Sequence, residues 1–249
     1  MADRIILVTG ASRGIGAATA RLAARRGYRV AVNYRQNRAA ADEVVSSIVS
    51  AGGEALAIQA DVADEAAVVR MFATIDSELG RINALVNNAG MLEPQMRVEA
   101  MSAQRINHVL MTNVTSCFLC GREAVLRMST KHGGSGGAIV NVSSMAAKLG
   151  SPNEYIDYAA SKAALDAFTI GLAHEVAQEG IRVNAVRPGV IYTDIHALGG
   201  EPDRIERVKH SLPLKRGGQP EEVANTILWL LSDEASYITA GFIDVAGGR

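Results

Sequence analysis

Short runs of β-branched and aliphatic residues alternate with amphipathic helical stretches from one end of this chain to the other, and that alternation restricts its fold more than any other feature. Parallel strands are joined only by crossovers, and a helix in every crossover covers both faces of the sheet. The expected strands lie at residues 5–9, 29–34, 55–60, 84–87, 138–142, 182–187 and 242–245. The expected helices include residues 15–26, 39–50, 65–79 and 155–178. Glycine-rich punctuation at Gly52 and Gly53 and from Gly133 to Gly137 falls between these elements, and neither a repeat nor a linker parts two domains. With 249 residues, 48% of them hydrophobic, the chain can bury one large core without staples. The reading is a single α/β domain over residues 1–249, a doubly wound parallel sheet of about seven strands with helices on both faces.

Charge narrows the partners. The 25 Lys and Arg residues stand against 26 Asp and Glu, a formal net charge of -1, which offers no basic field to nucleic acid and no polybasic anchor to lipid. No apolar run approaches the ~18 residues of a bilayer span, and the N-terminus lacks a signal-peptide layout, so a cytoplasmic location is expected. The five histidines and two cysteines show no metal-ligand spacing, and no metal is expected. Cys117 and Cys120 lie inside a helical pattern, away from a helix N-terminus, and read as packed thiols rather than a redox pair.

The segment Thr9-Gly10-Ala11-Ser12-Arg13-Gly14-Ile15-Gly16 follows the first strand and opens a helix. Glycines there let the backbone turn tightly and approach a pyrophosphate, whose charge then sits at the helix N-terminus. No Gly-Lys-Ser/Thr follows, which disfavours a P-loop for ATP or GTP. In a dinucleotide site, the end of the second strand meets the adenosine ribose, and an acidic residue there favours an unphosphorylated hydroxyl. Here Asn33, Tyr34 and Arg35 occupy that end, and Arg35 with Arg13 could pair with a phosphate, so NADP(H) is preferred, with NAD(H) as the alternative.

Tyr158 and Lys162 stand four residues apart, on one face of the expected long helix. A phenol is a poor proton-transfer group at neutral pH until a nearby cation stabilises its anion. Ser143 and Ser144 end the fifth strand, and ligands of open α/β sheets bind outside the carboxyl ends of strands, so the hydroxyls, the phenol and the glycine turn converge.

These pieces, with Asp61-Val62, Asn88-Ala89-Gly90, Asn113, Pro188-Gly189 through Thr193 and Gly247-Gly248, resemble the short-chain dehydrogenase/reductase family along nearly the whole chain. The resemblance implies a Rossmann-like fold with Tyr158 as general acid/base, Lys162 holding the nicotinamide ribose and tuning Tyr158, and Ser144 bonding the substrate oxygen. It further implies that Asn113 kinks its helix and holds a water. The cofactor set it implies is Gly10, Ser12, Arg13, Gly14, Ile15, Gly16, Asn33, Tyr34, Arg35, Asp61, Val62, Asn88, Ala89, Gly90, Tyr158, Lys162, Pro188, Gly189, Ile191 and Thr193. The stretch from Ser144 to Tyr158 is one residue longer than the family pattern, which keeps Ser143 in reserve. Tyr155 is a second phenol, but Ala159 stands where its lysine would be.

The implied activity is NADP(H)-dependent interconversion of a carbonyl and a secondary alcohol by a homotetramer, with small-molecule substrates and neither nucleic acid nor membrane as partner. A 3-oxoacyl-carrier-protein reductase or a sugar dehydrogenase of the same family are alternatives. A non-catalytic NADP(H)-sensing protein is the alternative from another class, although a sensor would have no chemical use for Asn113, Ser144, Tyr158 and Lys162 together. Residues 192–219, rich in glycine and proline, read as an irregular substrate lid in which His196 is a solvated loop residue.

Overall fold

The computed structural model describes residues 4–249. Strands β1 (Ile5–Val8), β2 (Arg29–Tyr34), β3 (Ala55–Gln59), β4 (Ala84–Asn87), β5 (Gly137–Val142), β6 (Ile181–Pro188) and β7 (Phe242–Val245) form one sheet in the order β3-β2-β1-β4-β5-β6-β7. Every pairing is parallel. Each strand lies within one residue of its expected bounds; β1 and β4 are buried on both faces and stand out from their flanks, while the edge strands β3 and β7 are only partly buried.

The helices are α1 (Gly14–Arg25), α2 (Arg38–Ser50), α3 (Glu65–Glu78), α4 (Ala103–Leu110), α5 (Ser116–Met128), α6 (Ala146–Leu149), α7 (Ile156–Val176), α8 (Ile195–Leu198), α9 (Arg204–Val208) and α10 (Pro220–Leu231). Alternation along the strands divides the core. Ile6, Val8, Val30 and Val32 pack against α1, α2 and α10, whereas Ile5, Leu7, Leu85 and Ile139 pack against α3, α5 and α7 through Phe72, Ile75, Met128 and Val176. Each such fully buried side chain contributes about 1.5–3 kcal/mol. Among the described residues no helix is long and apolar enough to cross a membrane.

The chain runs outward from β1 to β3 on one side and from β4 to β7 on the other. Loops leaving the adjacent β1 and β4 therefore diverge, and a crevice opens at their carboxyl ends. It extends as a cleft of about 590 Å³ from the glycine turn to the start of α7.

Residues 192–219 depart from the irregular loop expected of them. They contain α8, α9 and a single helical turn at Lys209–Ser211, and Val190, Ile205 and Leu212 form a small core beneath. The glycines and prolines bound these short helices instead of dissolving them. Two bonds close the base of the segment: the Tyr192 N–H donates to the Gly218 carbonyl (2.9 Å) and the Gly218 N–H to that of Val190 (2.9 Å).

Charge fastens its outer edge. Arg204 donates to Glu154, in the loop before α7, at 2.5 Å and to Glu201 at 2.7 Å, and Arg207 binds both glutamates as well. Burial alone would raise the Glu154 carboxyl, but hydrogen bonds and charge from Arg204 and Arg207 hold it below the usual carboxylate range. Its stabilising contribution is thus fully present above the ordinary carboxylate pKa and is lost as pH falls through the lowered value. Glu154→Gln is expected to lower the melting temperature by about 2–4 °C at neutral pH. That gap from wild type should close in acid, as followed by circular dichroism over a pH series; a gap that persists or widens in acid contradicts the assignment.

Candidate active site

At the nucleotide end, Gly14 adopts a left-handed φ of 54°, and a Cβ on Gly16 would come within 2.5 Å of the Asn88 side chain and 2.6 Å of the Gly10 carbonyl. Close approach of two backbones thus requires glycine at position 16, and Asn88 keeps them together by donating to the carbonyls of Thr9 (2.8 Å) and Gly10 (3.1 Å). Asn33 accepts from the Gly10 N–H at 3.1 Å and donates to the carbonyls of Ile58 and Ala60, so its buried amide shapes the turn from behind. The first turn of α1 has neither a side-chain cap nor an acidic residue, which leaves its N–H donors facing the cleft. Arg13 and Arg35 are exposed, line the cleft and make no ion pair with a described residue. Ser12, Tyr34, Asp61, Val62, Ala89, Gly90, Pro188, Gly189, Ile191 and Thr193 line the same cleft.

At the other end, α7 carries Tyr158 and Lys162 on one face, and the Lys162 ammonium lies 5.7 Å from the Tyr158 ring centroid. Lys162 is 3% exposed and donates one proton to the Val142 carbonyl at 2.8 Å, which leaves two for groups entering the cleft. The two serines separate clearly. Ser143 is buried and its hydroxyl donates to the Lys162 carbonyl (3.3 Å), whereas half-buried Ser144 faces the cleft and accepts from the Ala146 N–H (3.1 Å). Tyr155 is buried beneath the 192–219 segment, its hydroxyl 3.5 Å from the Gly199 carbonyl, and burial pushes that phenol up.

Asn113 is fully buried within a single π-helical stretch, Met111–Thr115, that joins α4 to α5. Its amide accepts from the Met91 N–H (2.8 Å) and donates to the Met91 carbonyl (3.1 Å) and the Ser161 hydroxyl (3.0 Å). With both amide protons engaged and its oxygen accepting from Met91, the amide clamps the loop after β4 against α7. Gly90 in that loop passes so near Lys162 Nζ and Asn113 Oδ1 that a Cβ there would touch both, at 3.4 and 3.5 Å. Cys117 and Cys120 are buried in α5, and burial pushes both thiols up, as packed thiols require. Among the described residues no three His, Cys, Asp or Glu side chains group to hold a metal ion.

Comparison with known proteins decides the family. The profile described as enoyl-(acyl carrier protein) reductase matches residues 10–249. An uncharacterised oxidoreductase of Escherichia coli K12 is 63% identical over 245 residues, 98% of this chain and 99% of that protein. A 3-oxoacyl-[acyl-carrier-protein] reductase of Synechocystis is 42% identical over 247 residues, 98% of this chain and 96% of that one. A solved short-chain dehydrogenase/reductase from Serratia marcescens superimposes with a TM-score of 0.90 at 33% identity, covering 98% of this chain and 97% of that one. The chain belongs to the short-chain dehydrogenase/reductase family. It is accordingly an oxidoreductase, and the family works with nicotinamide dinucleotides.

Several residues that shape this short-chain dehydrogenase/reductase site act through contacts that the local sequence does not reveal. Asp157, beside Tyr158, is paired with Arg105 of α4 at 2.7 Å, their side chains 2% and 10% exposed, and also accepts from the Tyr158 N–H at 2.9 Å. An acid in the first turn of a helix is a visible sign, but a partner 52 residues away is not. His196, expected to be solvated, is instead only 9% exposed and lines the cleft, and Gly199, just after α8, comes so close to Leu92 that a Cβ there would lie 3.2 Å from it.

Proposed function

We propose that this protein is an NADP(H)-dependent reductase of small carbonyl compounds that uses Tyr158 as its proton donor. The observation that carries the proposal is that Ser144, Tyr158 and Lys162 line one cleft with the glycine turn and the uncapped start of α1. These residues fit a dinucleotide: the turn admits close backbone approach, α1 presents N–H donors to a pyrophosphate, and Arg13 with Arg35 favours an additional phosphate over a bare hydroxyl. When bound, the dinucleotide supplies the hydride. Tyr158 gives its proton to the substrate oxygen as negative charge develops there, and Ser144 hydrogen-bonds the same oxygen. The Lys162 ammonium, 5.7 Å from the centre of the phenol ring, attracts the negative charge that transfer leaves on the Tyr158 oxygen. Asn113 acts as a positioning residue through Met91 and Ser161. Residues 192–219 serve as the lid over the substrate end.

The assembly expected is a cytoplasmic homotetramer. Helices α5 and α7 leave Phe118, Leu126 and Ile170 exposed, and a second copy laid against that face would cover them. A second substrate reading, the 3-oxoacyl-carrier-protein one, is favoured by the description of the Synechocystis relative.

The test is NADPH consumption, followed by absorbance, with small ketones, a 3-oxoacyl-carrier substrate and an enoyl substrate, beside the same panel with NADH. Consumption with small ketones and a preference for NADPH are expected. Exclusive use of the carrier substrate would move the reading to the second one, and tight NADPH binding without consumption by any substrate would refute both.

A further inference from the structure

Between the apolar wall of the cleft and the lid, one side chain stands without a partner. The ring of His196 in α8 is 9% exposed and belongs to a residue that lines the same cleft as Ser144 and Tyr158, while both its nitrogens are closed to solvent and make no hydrogen bond. The Ile191 carbonyl lies near enough to favour the charged ring slightly but does not meet hydrogen-bond geometry, and it already accepts from the Thr193 hydroxyl at 3.4 Å. A polar side chain removed from water normally finds a partner, and one that has none gains by turning toward a group that enters the cleft beside it.

The surroundings define that partner. Burial, then the charge of Arg204, favours the neutral imidazole, against a smaller opposing effect of Glu201. A neutral ring offers one donor and one acceptor, whichever tautomer it adopts. Arg204, whose charge acts on the ring, already donates to Glu154 and Glu201, so its charge is matched and an incoming carboxylate would meet two carboxylates beside it. The side chains of Leu92, Leu198 and Met145 also line the cleft and can make no hydrogen bond of ordinary strength.

We infer that His196 is a substrate-recognition residue that hydrogen-bonds a second, uncharged oxygen of the substrate, so that hydroxy ketones, diketones and keto esters are favoured over simple ketones of equal size. The inference rests on the reductase reading for its reaction, while the binding contact stands on His196 alone. When the second oxygen is present, it satisfies the ring. When a methyl or methylene replaces it, the ring stays buried and unpaired, and discrimination of about 10- to 100-fold follows.

Isosteric pairs test this with the full-length protein and NADPH. Hydroxyacetone and butanone differ by a hydroxyl for a methyl, and acetylacetone and isobutyl methyl ketone by a carbonyl for a methyl-bearing carbon; acetoacetate adds a carboxylate in the same frame. Wild type is expected to favour the oxygen-bearing member of each pair by about 10- to 100-fold in kcat/KM, mainly through KM. His196→Leu should bring the ratio to near one, and His196→Gln, which keeps a donor and an acceptor, should restore most of it. Ratios near one in wild type, ratios unchanged in His196→Leu, or acetoacetate as the best of its set would each overturn the inference.

A second readout separates this from the reductase reading. With isotope-labelled histidine and NADP⁺-loaded protein, hydroxyacetone should shift the imidazole nitrogen resonance that disappears in His196→Gln, and butanone should not. If no ketone is consumed but that shift occurs, the reductase reading falls and the recognition role stands. An unmoved resonance overturns the role.

Discussion

Tyr158→Phe is expected to lower turnover by about 10³-fold while NADPH binds within a few-fold of wild type, as measured by steady-state kinetics and a fluorescence titration. The phenol oxygen is the proton donor proposed for the developing alkoxide, and phenylalanine removes that oxygen while keeping the ring beside which Lys162 sits. Loss should therefore appear in kcat, because the interaction removed is made in the transition state. Lys162→Met gives a contrasting pattern. It withdraws the charge beside the phenol and the two protons facing the cleft, so NADPH affinity and turnover should fall together. Undiminished activity in Tyr158→Phe would remove the mechanism, whereas equal losses of binding in both variants would show that the phenol only builds the cofactor site.

Features set by local chemistry were legible in the sequence. A strand buried on both faces is continuously apolar, so the sheet could be read almost to the residue. The glycine turn follows from backbone needs within eight residues, and the Tyr158–Lys162 pair from helical spacing alone. Features set by orientation or by distant partners were not. Ser143 and Ser144 differ only in which way each side chain leaves the end of β5, and the extra residue before Tyr158 obscured this further. Backbone at Gly150, Ser151 and Asn153 in that connection is left-handed, and Ser144 faces the cleft while Ser143 bonds the Lys162 carbonyl of α7.

The same limit explains His196 and Arg105. Neither shows a periodic neighbour pattern that reveals its depth, since His196 is buried by the way the segment after β6 folds back over the cleft and Arg105 by its pairing with Asp157. Asn33 and Asn88 illustrate a subtler case. Their position at the nucleotide end was plain, but their amides are engaged by backbone groups of the turn, a use that only the folded register of β1, β2 and β4 makes apparent.

Cofactor choice offers the second large effect, because it rests on charge that the fold leaves unmatched. Arg13, at the N-terminus of α1, and Arg35, after β2, line the cleft from two sides of the turn, and neither makes an ion pair with a described residue. A hydrogen bond to a charged group contributes about 1.5–3 kcal/mol, so removing two such contacts to a phosphate should cost about 3 kcal/mol or more. The double variant Arg13→Ala/Arg35→Ala is therefore expected to lose at least about 100-fold in kcat/KM for NADPH, and only a few-fold for NADH, which lacks the phosphate. Raising the salt concentration should weaken NADPH binding in wild type more than in the variant, since the exposed guanidinium groups act partly through screened charge. Equal losses for both cofactors would mean that the two arginines support the turn rather than read the phosphate. An unchanged preference would place the discrimination elsewhere, at Tyr34 or in the backbone after β2.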